Sequence, residues 1–266
     1  KHKSIVCMQG SGSFAIELMC YNFLNGNVLI INTGYYAKRI INICNNLRSI
    51  NRLKRVFEIN WKKFETFDLS QKIDWVIACP TETSIGLHIP IKKIKKLSQR
   101  LKSKTMLDAT ASFPIEKDHH LADVISYSSC KALCGLTGAS FINYNLKPRY
   151  YKNSFYLNIK NHEEKKMTGP YHIILSLKNV LKNYNSFKGS IILNKKIFLK
   201  KFKSYLIYNN HNQPKICTYV TKTIKSKSKK VVLYKPRSRI GGSVVSHLGE
   251  VHLKAKSMGK KINLIY

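Results

Sequence analysis

The sequence predicts an α/β fold, a mostly parallel sheet flanked by helices, with a reduced C-terminal α+β lobe. Three observations predict it. Short continuous apolar runs recur through the first two-thirds of the chain, as strands buried on both faces require. Helix-sized spacers separate them, which a parallel crossover needs. Hydrophobic residues make up 44% of the 266 positions, enough for a large α/β unit with a small appendage.

Each element follows from its local pattern. Residues 13–24 read as a helix, with Ala15, Leu18, Met19 and Phe23 on one face. Residues 27–31 (NVLII) read as a buried strand, 37–47 as a helix, 75–78 (WVIA) as a strand, 91–101 as a helix and 105–107 as a strand. Residues 124–127 and 139–142 read as two further strands flanking a loop. A long helix is expected after Pro170, with Ile173, Leu177, Val180, Leu181 and Tyr184 as its apolar stripe. The character changes after 183–189. Residues 190–266 mix basic helix with short strands at 215–222, 231–234 and 243–248. The expected division is therefore a large α/β domain over 1–188 and a small lobe over 189–266.

Bulk composition narrows the function classes. The chain carries 47 Lys and Arg against 13 Asp and Glu, a net charge of +34. Such charge attracts anions, and a nucleic-acid or acidic-membrane partner is one reading of it. The lysines are spread along the chain, however, and no nucleic-acid-binding motif accompanies them, so nucleic-acid binding is not read as the main role. No run approaches the apolar length that spans a bilayer, and no apolar segment follows the basic start as in a signal peptide. The start, Lys1-His2-Lys3, reads as a cut end of a longer protein. Seven scattered cysteines with no Cys-x-x-Cys point to reduced thiols, a cytoplasmic location and no metal site.

Three local features carry chemistry. Gln9-Gly10-Ser11-Gly12-Ser13 precedes a helix. Glycines admit an anion to the backbone, and the helix N-terminus offers free N–H groups. A tight turn is the plainer reading. Asp108 ends an apolar strand, where it can cap the next segment or pair with a protonated ring nitrogen. Lys131 interrupts a stretch of small neutral residues, SSCKALCGLTG, between two strands. It can be one more surface lysine, or it can be partly desolvated in a close-packed loop and nucleophilic. The order of the three matters. A phosphate loop, an acid at a strand end and a lysine in a Gly/Ser-rich loop are the parts that pyridoxal 5′-phosphate (PLP) chemistry requires.

With those motifs in hand, the sequence resembles the class V PLP-dependent aminotransferases, which have the aspartate-aminotransferase-like fold type I. In its motifs it is closest to the 2-aminoethylphosphonate–pyruvate aminotransferases. The resemblance runs from about Gln9 to Tyr184. QGSGSFAIE, from Gln9, is similar to the family's phosphate loop, which implies that Ser11, Gly12 and Ser13 bind the cofactor phosphate. GYYAKR, from Gly34, resembles the segment whose aromatic residue stacks on the pyridine ring, here Tyr36. TETSIG, from Thr81, implies Thr83 near the cofactor. DATASF, from Asp108, implies that Asp108 meets the ring nitrogen, and SCK with GLTG implies Lys131 as the Schiff-base lysine. TGPYH, from Thr168, resembles a segment that reaches the partner subunit's phosphate in the family's homodimer, so Thr168 is the expected contact. The implied substrates are a small anionic amine and a 2-oxo acid, with the catalytic pair Lys131 and Asp108.

The sequence also departs from the family. Its N-terminal segment has no counterpart in these residues, and Ser129-Cys130 replaces Ala-Asn before the lysine. The family's substrate-binding Arg falls on Arg239 in one alignment and is replaced by Val244 in another; Arg239 is preferred. Three alternatives remain. One is another class V aminotransferase, using alanine or serine with glyoxylate or pyruvate. Another is a basic binding protein on an altered scaffold. A cysteine desulfurase ranks below both, because Cys130 stands in the wrong place for its nucleophile.

Overall fold

The computed structural model describes residues 2–67, 70–226, 241–249 and 264–265. Its centre is a seven-stranded sheet, built from β1 (Ser4–Gln9), β2 (Gly26–Asn32), β3 (Leu53–Asn60), β4 (Trp75–Ala78), β7 (Lys104–Asp108), β8 (Val124–Ser128) and β9 (Ala139–Tyr144). A short hairpin, β5 (Thr81–Glu82) with β6 (Leu87–His88), follows β4. The sheet order is β1-β9-β8-β7-β4-β2-β3. Strands β8, β7, β4, β2 and β3 are parallel, and β9 runs antiparallel to both its neighbours, β8 and β1.

The central strands divide their side chains between two cores. In β2, Val28 and Ile30 enter one cluster while Leu29 and Ile31 enter the other. In β4, Trp75 and Ile77 face the first cluster and Val76 and Ala78 the second. That is the two-residue period of a strand with both faces covered. Helices α1 (Gly12–Phe23) and α2 (Tyr35–Ser49) cover the first face with Leu18, Met19, Ile40 and Leu47. Helix α3 (Ile91–Arg100) covers the second with Ile91, Ile94 and Leu97. A short helix, α4 (Ile159–Glu163), packs Ile159 into the first core. Helix α5 (Tyr171–Lys182) adds Leu177 to the second. The expected helices and inner strands are present, but the helix after Pro170 ends at Lys182, so Tyr184 belongs to the next helix and Leu181 is exposed. The fold is that of the fold type I aminotransferases, a mostly parallel sheet between helical layers.

Two strands do not stand out in the sequence. β1 alternates, burying Val6 and Met8 and exposing Ile5 and Cys7, so it lacks a continuous apolar run. β3 carries Lys54, Arg55 and Glu58. It is an edge strand, and edges tolerate charge.

The expected division after residue 188 falls within helix α6 (Tyr184–Phe202). The stretch 184–189, where the sequence changes character, is helical. Beyond α6, β10 (Cys217–Val220) pairs antiparallel with β12 (Ser243–Ser246), and β11 (Lys225–Ser226) pairs with β13 (Leu264–Ile265). The strand expected at 231–234 lies outside the described residues. A shared cluster joins this part to the sheet unit, with Ala111, Ala132 and Cys134 against Ile191, Cys217, Tyr219 and Val244. No helix among the described residues is long and apolar enough to cross a membrane.

Two buried histidines make stability depend on pH. His119 contacts Ser112 Oγ at 2.9 Å and His247 contacts Thr218 Oγ1 at 2.8 Å. Burial lowers each from 6.5 to about 3. Both stay neutral in the folded state while the unfolded chain takes up protons below pH 6.5. Stability is therefore full above pH 6.5 and is lost as pH falls towards 3, by up to ~1.4 kcal/mol per pH unit for each histidine. The buried carboxyls of Glu82 and Asp108, both raised mainly by desolvation, act in the opposite sense. Substitution therefore isolates the histidine contribution. Urea unfolding of His119→Gln and His247→Gln, measured from pH 7.5 down to 5, should show a shallower loss of stability with acidification than the wild type. Equal slopes would refute this assignment.

Candidate active site

Parallel α/β sheets gather polar groups beyond the carboxyl ends of their strands, where the side-chain layers end. Here β4, β7 and β8 end at Ala78, Asp108 and Ser128. A cavity of about 190 Å³ opens there, lined by Cys79, Asp108 and Ser128 from these ends, and by residues of α1, α2 and the lysine loop.

The first wall is the N-terminus of α1. Ser11 caps the helix, its Oγ accepting from Phe14 N at 3.4 Å. Ser11, Gly12 and Ser13 all line the cavity. A Cβ built on Gly12 would stand 2.8 Å from Thr110 Oγ1, so a side chain here intrudes on the floor of the cavity. The first turn offers unpaired backbone N–H groups and the positive end of the helix dipole.

The second wall is the first turns of α2. Tyr36 and Arg39 lie one turn apart, so they share a helix face. The Arg39 guanidinium carbon lies 5.4 Å from the centre of the Tyr36 ring, and its Nη1 donates to Ser13 Oγ. Lys131 Nζ approaches the same ring to 4.6 Å. Both are within cation–π range.

Asp108, at the end of β7, is buried and accepts from Thr110 N at 3.0 Å. Burial raises its carboxyl above the usual range. The hydrogen bond from Thr110 N and the charges of Lys131 and Arg39 pull it back. Thr83, in the turn between β5 and β6, is buried at the cavity, and its Oγ1 has no hydrogen-bond partner. A buried polar atom left unpaired is costly, and a ligand can satisfy it.

Lys131 opens a 3₁₀ turn, Lys131–Leu133, between β8 and β9. Its φ is +52° and that of Cys134 is +63°, left-handed values that L residues seldom adopt. The loop is closed by Gly135 N to Ser129 O at 2.7 Å and Ser129 N to Ala139 O at 2.9 Å. Gly135 is required there, because a Cβ would stand 2.7 Å from Ser129 O.

The cavity thus brings together Ser11, Gly12, Ser13, Tyr36, Thr83, Asp108 and Lys131. Thr168 does not join them. It is exposed, three residues before α5, and does not line this chain's cavity. Arg239 lies outside the described residues. Val244 is buried in β12, within the cluster that joins the small lobe to the sheet unit. Sequence reasoning gave no role to Arg39, Thr110 or Ser128. For Arg39 the signal was its helical spacing from Tyr36; Thr110 and Ser128 are ordinary loop and strand residues until the fold closes.

No family profile matches the chain. Curated relatives do. Over 195 residues the chain is 27% identical to a bifunctional phosphonoacetaldehyde hydrolase/aminoethylphosphonate transaminase from Clostridioides difficile, covering 64% of this chain and 30% of that one. Over 219 residues it is 24% identical to a 2-aminoethylphosphonate–pyruvate transaminase from Pseudomonas fluorescens, covering 69% and 55%. The chain therefore spans only about a third to a half of the length of these relatives. Among solved structures, pyridoxamine–pyruvate aminotransferase from Mesorhizobium loti superposes with a TM-score of 0.75 at 17% identity, over 93% of this chain and 74% of that one. The chain resembles class V aminotransferases, in the neighbourhood of the 2-aminoethylphosphonate transaminases.

If the α1 wall is an anion cradle, inorganic phosphate stabilises the protein. A ligand at ~100 times its dissociation constant adds about 2.7 kcal/mol, worth several degrees in a chain of this size. Thermal unfolding should show that shift in the wild type and lose it in Gly12→Val, whose side chain fills the cradle. An equal shift in both would place the anion elsewhere.

Proposed function

We propose that the cavity holds pyridoxal 5′-phosphate and that the chain is an aminotransferase, with 2-aminoethylphosphonate and pyruvate as its substrates and phosphonoacetaldehyde and alanine as products. The observation that carries this reading is the meeting of Asp108, Lys131, Tyr36 and the α1 N-terminus in one cavity at the carboxyl edge of the sheet.

The residues present fit the cofactor. Its phosphate suits the N–H groups and hydroxyls at Ser11, Gly12 and Ser13, with Arg39 beside them. The unpaired Thr83 Oγ1 supplies a donor or acceptor on another wall. A buried carboxylate such as Asp108 is relieved by a cationic partner, and a protonated ring nitrogen is one. The Tyr36 ring offers an aromatic face beside Lys131 Nζ.

When bound, the cofactor supplies an electron-accepting ring joined to the substrate's amine. The chain's own groups do the rest. Asp108 keeps the ring nitrogen protonated. Lys131 Nζ would hold the cofactor covalently until the incoming amine displaces it, and the freed amine would then take a proton from the amine-bearing carbon and hand it back within the same cavity. Tyr36 fixes the ring plane. The strong positive charge of the chain draws in doubly anionic phosphonates.

We further propose a homodimer and a cytoplasmic protein. Support for the dimer comes from Tyr171, Leu175 and Leu181, three large apolar residues exposed on α5 next to Thr168. Support for the location comes from seven free cysteines and no disulfide.

The test is the visible absorbance of the purified, full-length protein mixed with PLP. The wild type should develop a band that survives gel filtration, and Lys131→Ala should not retain it. Loss of this general base should lower turnover at least ~10²–10⁴-fold. Parallel assays with 2-aminoethylphosphonate, alanine and serine as amino donors should rank the phosphonate first. A band unchanged by Lys131→Ala would overturn the cofactor assignment, and a higher rate with alanine or serine would overturn the substrate.

A further inference from the structure

Glu82 is fully buried and does not line the cavity. Its carboxylate nevertheless joins two segments that carry cavity residues, the start of α2 and the β5–β6 hairpin. Oε2 accepts from Tyr36 N at 2.9 Å, Ala37 N at 3.3 Å and Thr33 Oγ1 at 3.4 Å. Oε1 accepts from Ser84 N at 3.3 Å and from Ser84 Oγ. Helix α2 needs this help. Its own cap, Gly34, offers no side chain, and its first turn contains no acid. Glu82 supplies from the β5–β6 hairpin both the missing acceptor and the negative charge that a helix N-terminus favours.

The two segments it joins are the ones that carry cavity residues. Thr81 and Thr83 flank it on the hairpin, and Tyr36 and Arg39 stand on the first turns of α2. A distant acid is an expensive way to cap a helix, since a charge must be buried. A serine or aspartate cap is the ordinary solution, but Gly34 stands at φ +145°, where an L residue is strained, and a Cβ there would lie 3.1 Å from Glu82 Cγ. The long-range contact does something a local cap does not, which is to fix the height and rotation of α2 relative to the hairpin.

We propose that Glu82 is a positioning residue: by holding the backbone N–H of Tyr36, it sets the Tyr36 ring against the pyridine ring of bound cofactor. This rests on the PLP reading of the site. It predicts that Glu82 acts through Tyr36 and not only through overall stability.

The experiment is a double-mutant cycle read by PLP titration, using the visible absorbance and the circular dichroism of the bound-cofactor band. Glu82→Gln keeps the size of the side chain but removes its charge and half of its acceptor capacity. It should weaken PLP binding ~10-fold and change the band's circular dichroism, which reports ring orientation. In a Tyr36→Ala background the same substitution should weaken binding less than twofold, while thermal midpoints fall equally in both backgrounds. Ser84→Ala, which removes a single donor to Oε1, reads the same contact should Glu82→Gln fail to fold. Equal losses of affinity in both backgrounds, or wild-type dichroism in Glu82→Gln and Ser84→Ala, would overturn the proposal while leaving the cofactor reading intact. A wild type that binds no PLP would overturn both.

Discussion

Burial of the central strands on both faces governs where this molecule can do chemistry. Val28 through Ile31 and Trp75 through Ala78 are all essentially inaccessible, alternate residues facing opposite helical layers. A charged group in mid-strand would be stranded in one core or the other, at a cost of several kcal/mol. Charged side chains in the central strands therefore stand at strand ends, although the hydroxyls of Ser126 and Ser140 are buried within strands. Asp108 and Ser128 are terminal strand residues, and Cys79 follows β4 directly. The helices starting at that same edge, α1 and α2, present their N-termini to it. The cavity is a consequence of the layer arrangement before any particular residue is considered.

The electrostatics of the cavity follow from that position. One acid, Asp108, faces two cations, Lys131 and Arg39, and a helix N-terminus. The imbalance favours an anionic ligand. The acid is deep and its carboxyl is raised by burial, while the cations and the helix end gather around Tyr36 and Ser13. A ligand with a cationic ring atom at one end and a phosphate at the other matches this division of charge. A simple dianion would satisfy the cations and leave Asp108 without a partner, which is why the acid discriminates between a cofactor pocket and a mere anion trap.

The inner strands and the helices were legible because two-sided burial writes itself as continuous apolar runs and helical stripes. β1 and β3 were not, because edge strands need only one apolar face, and Lys54, Arg55 and Glu58 hide the pattern. Within the site, Ser11 to Ser13, Asp108 and Lys131 stand in local motifs whose residue types announce their chemistry. Tyr36 and Thr83 became candidates only through the resemblance, since an aromatic at a helix start and a threonine in a turn are commonplace. Glu82 stands inside the TETSIG motif, yet its role is not legible there. Its partners at 33 and 36–37 lie more than forty residues away, and nothing in the sequence marks it as buried. Contacts made across elements are invisible to patterns read along one element.

The lysine loop shows why the small lobe is more than an appendage. Left-handed backbone at Lys131 and again at Cys134 costs roughly 1–3 kcal/mol for each residue. The loop's own hydrogen bonds, through Ser129, Ala139 and Gly135, each return about 1 kcal/mol. On their own they offset little more than the strain. Two further contacts come from outside the sheet unit's loops. Tyr184 Oη, on α6, donates to Ala132 O at 2.9 Å, and Ala132 and Cys134 are buried in a cluster with Ile191, Cys217 and Val244. The segment that begins at Tyr184 therefore packs against the turn and supports it. Strain persists only where surroundings over-determine it, and here the surroundings are divided between the sheet and the lobe. A lysine in this conformation thus depends on both parts of the chain, although every residue lining the cavity belongs to the first.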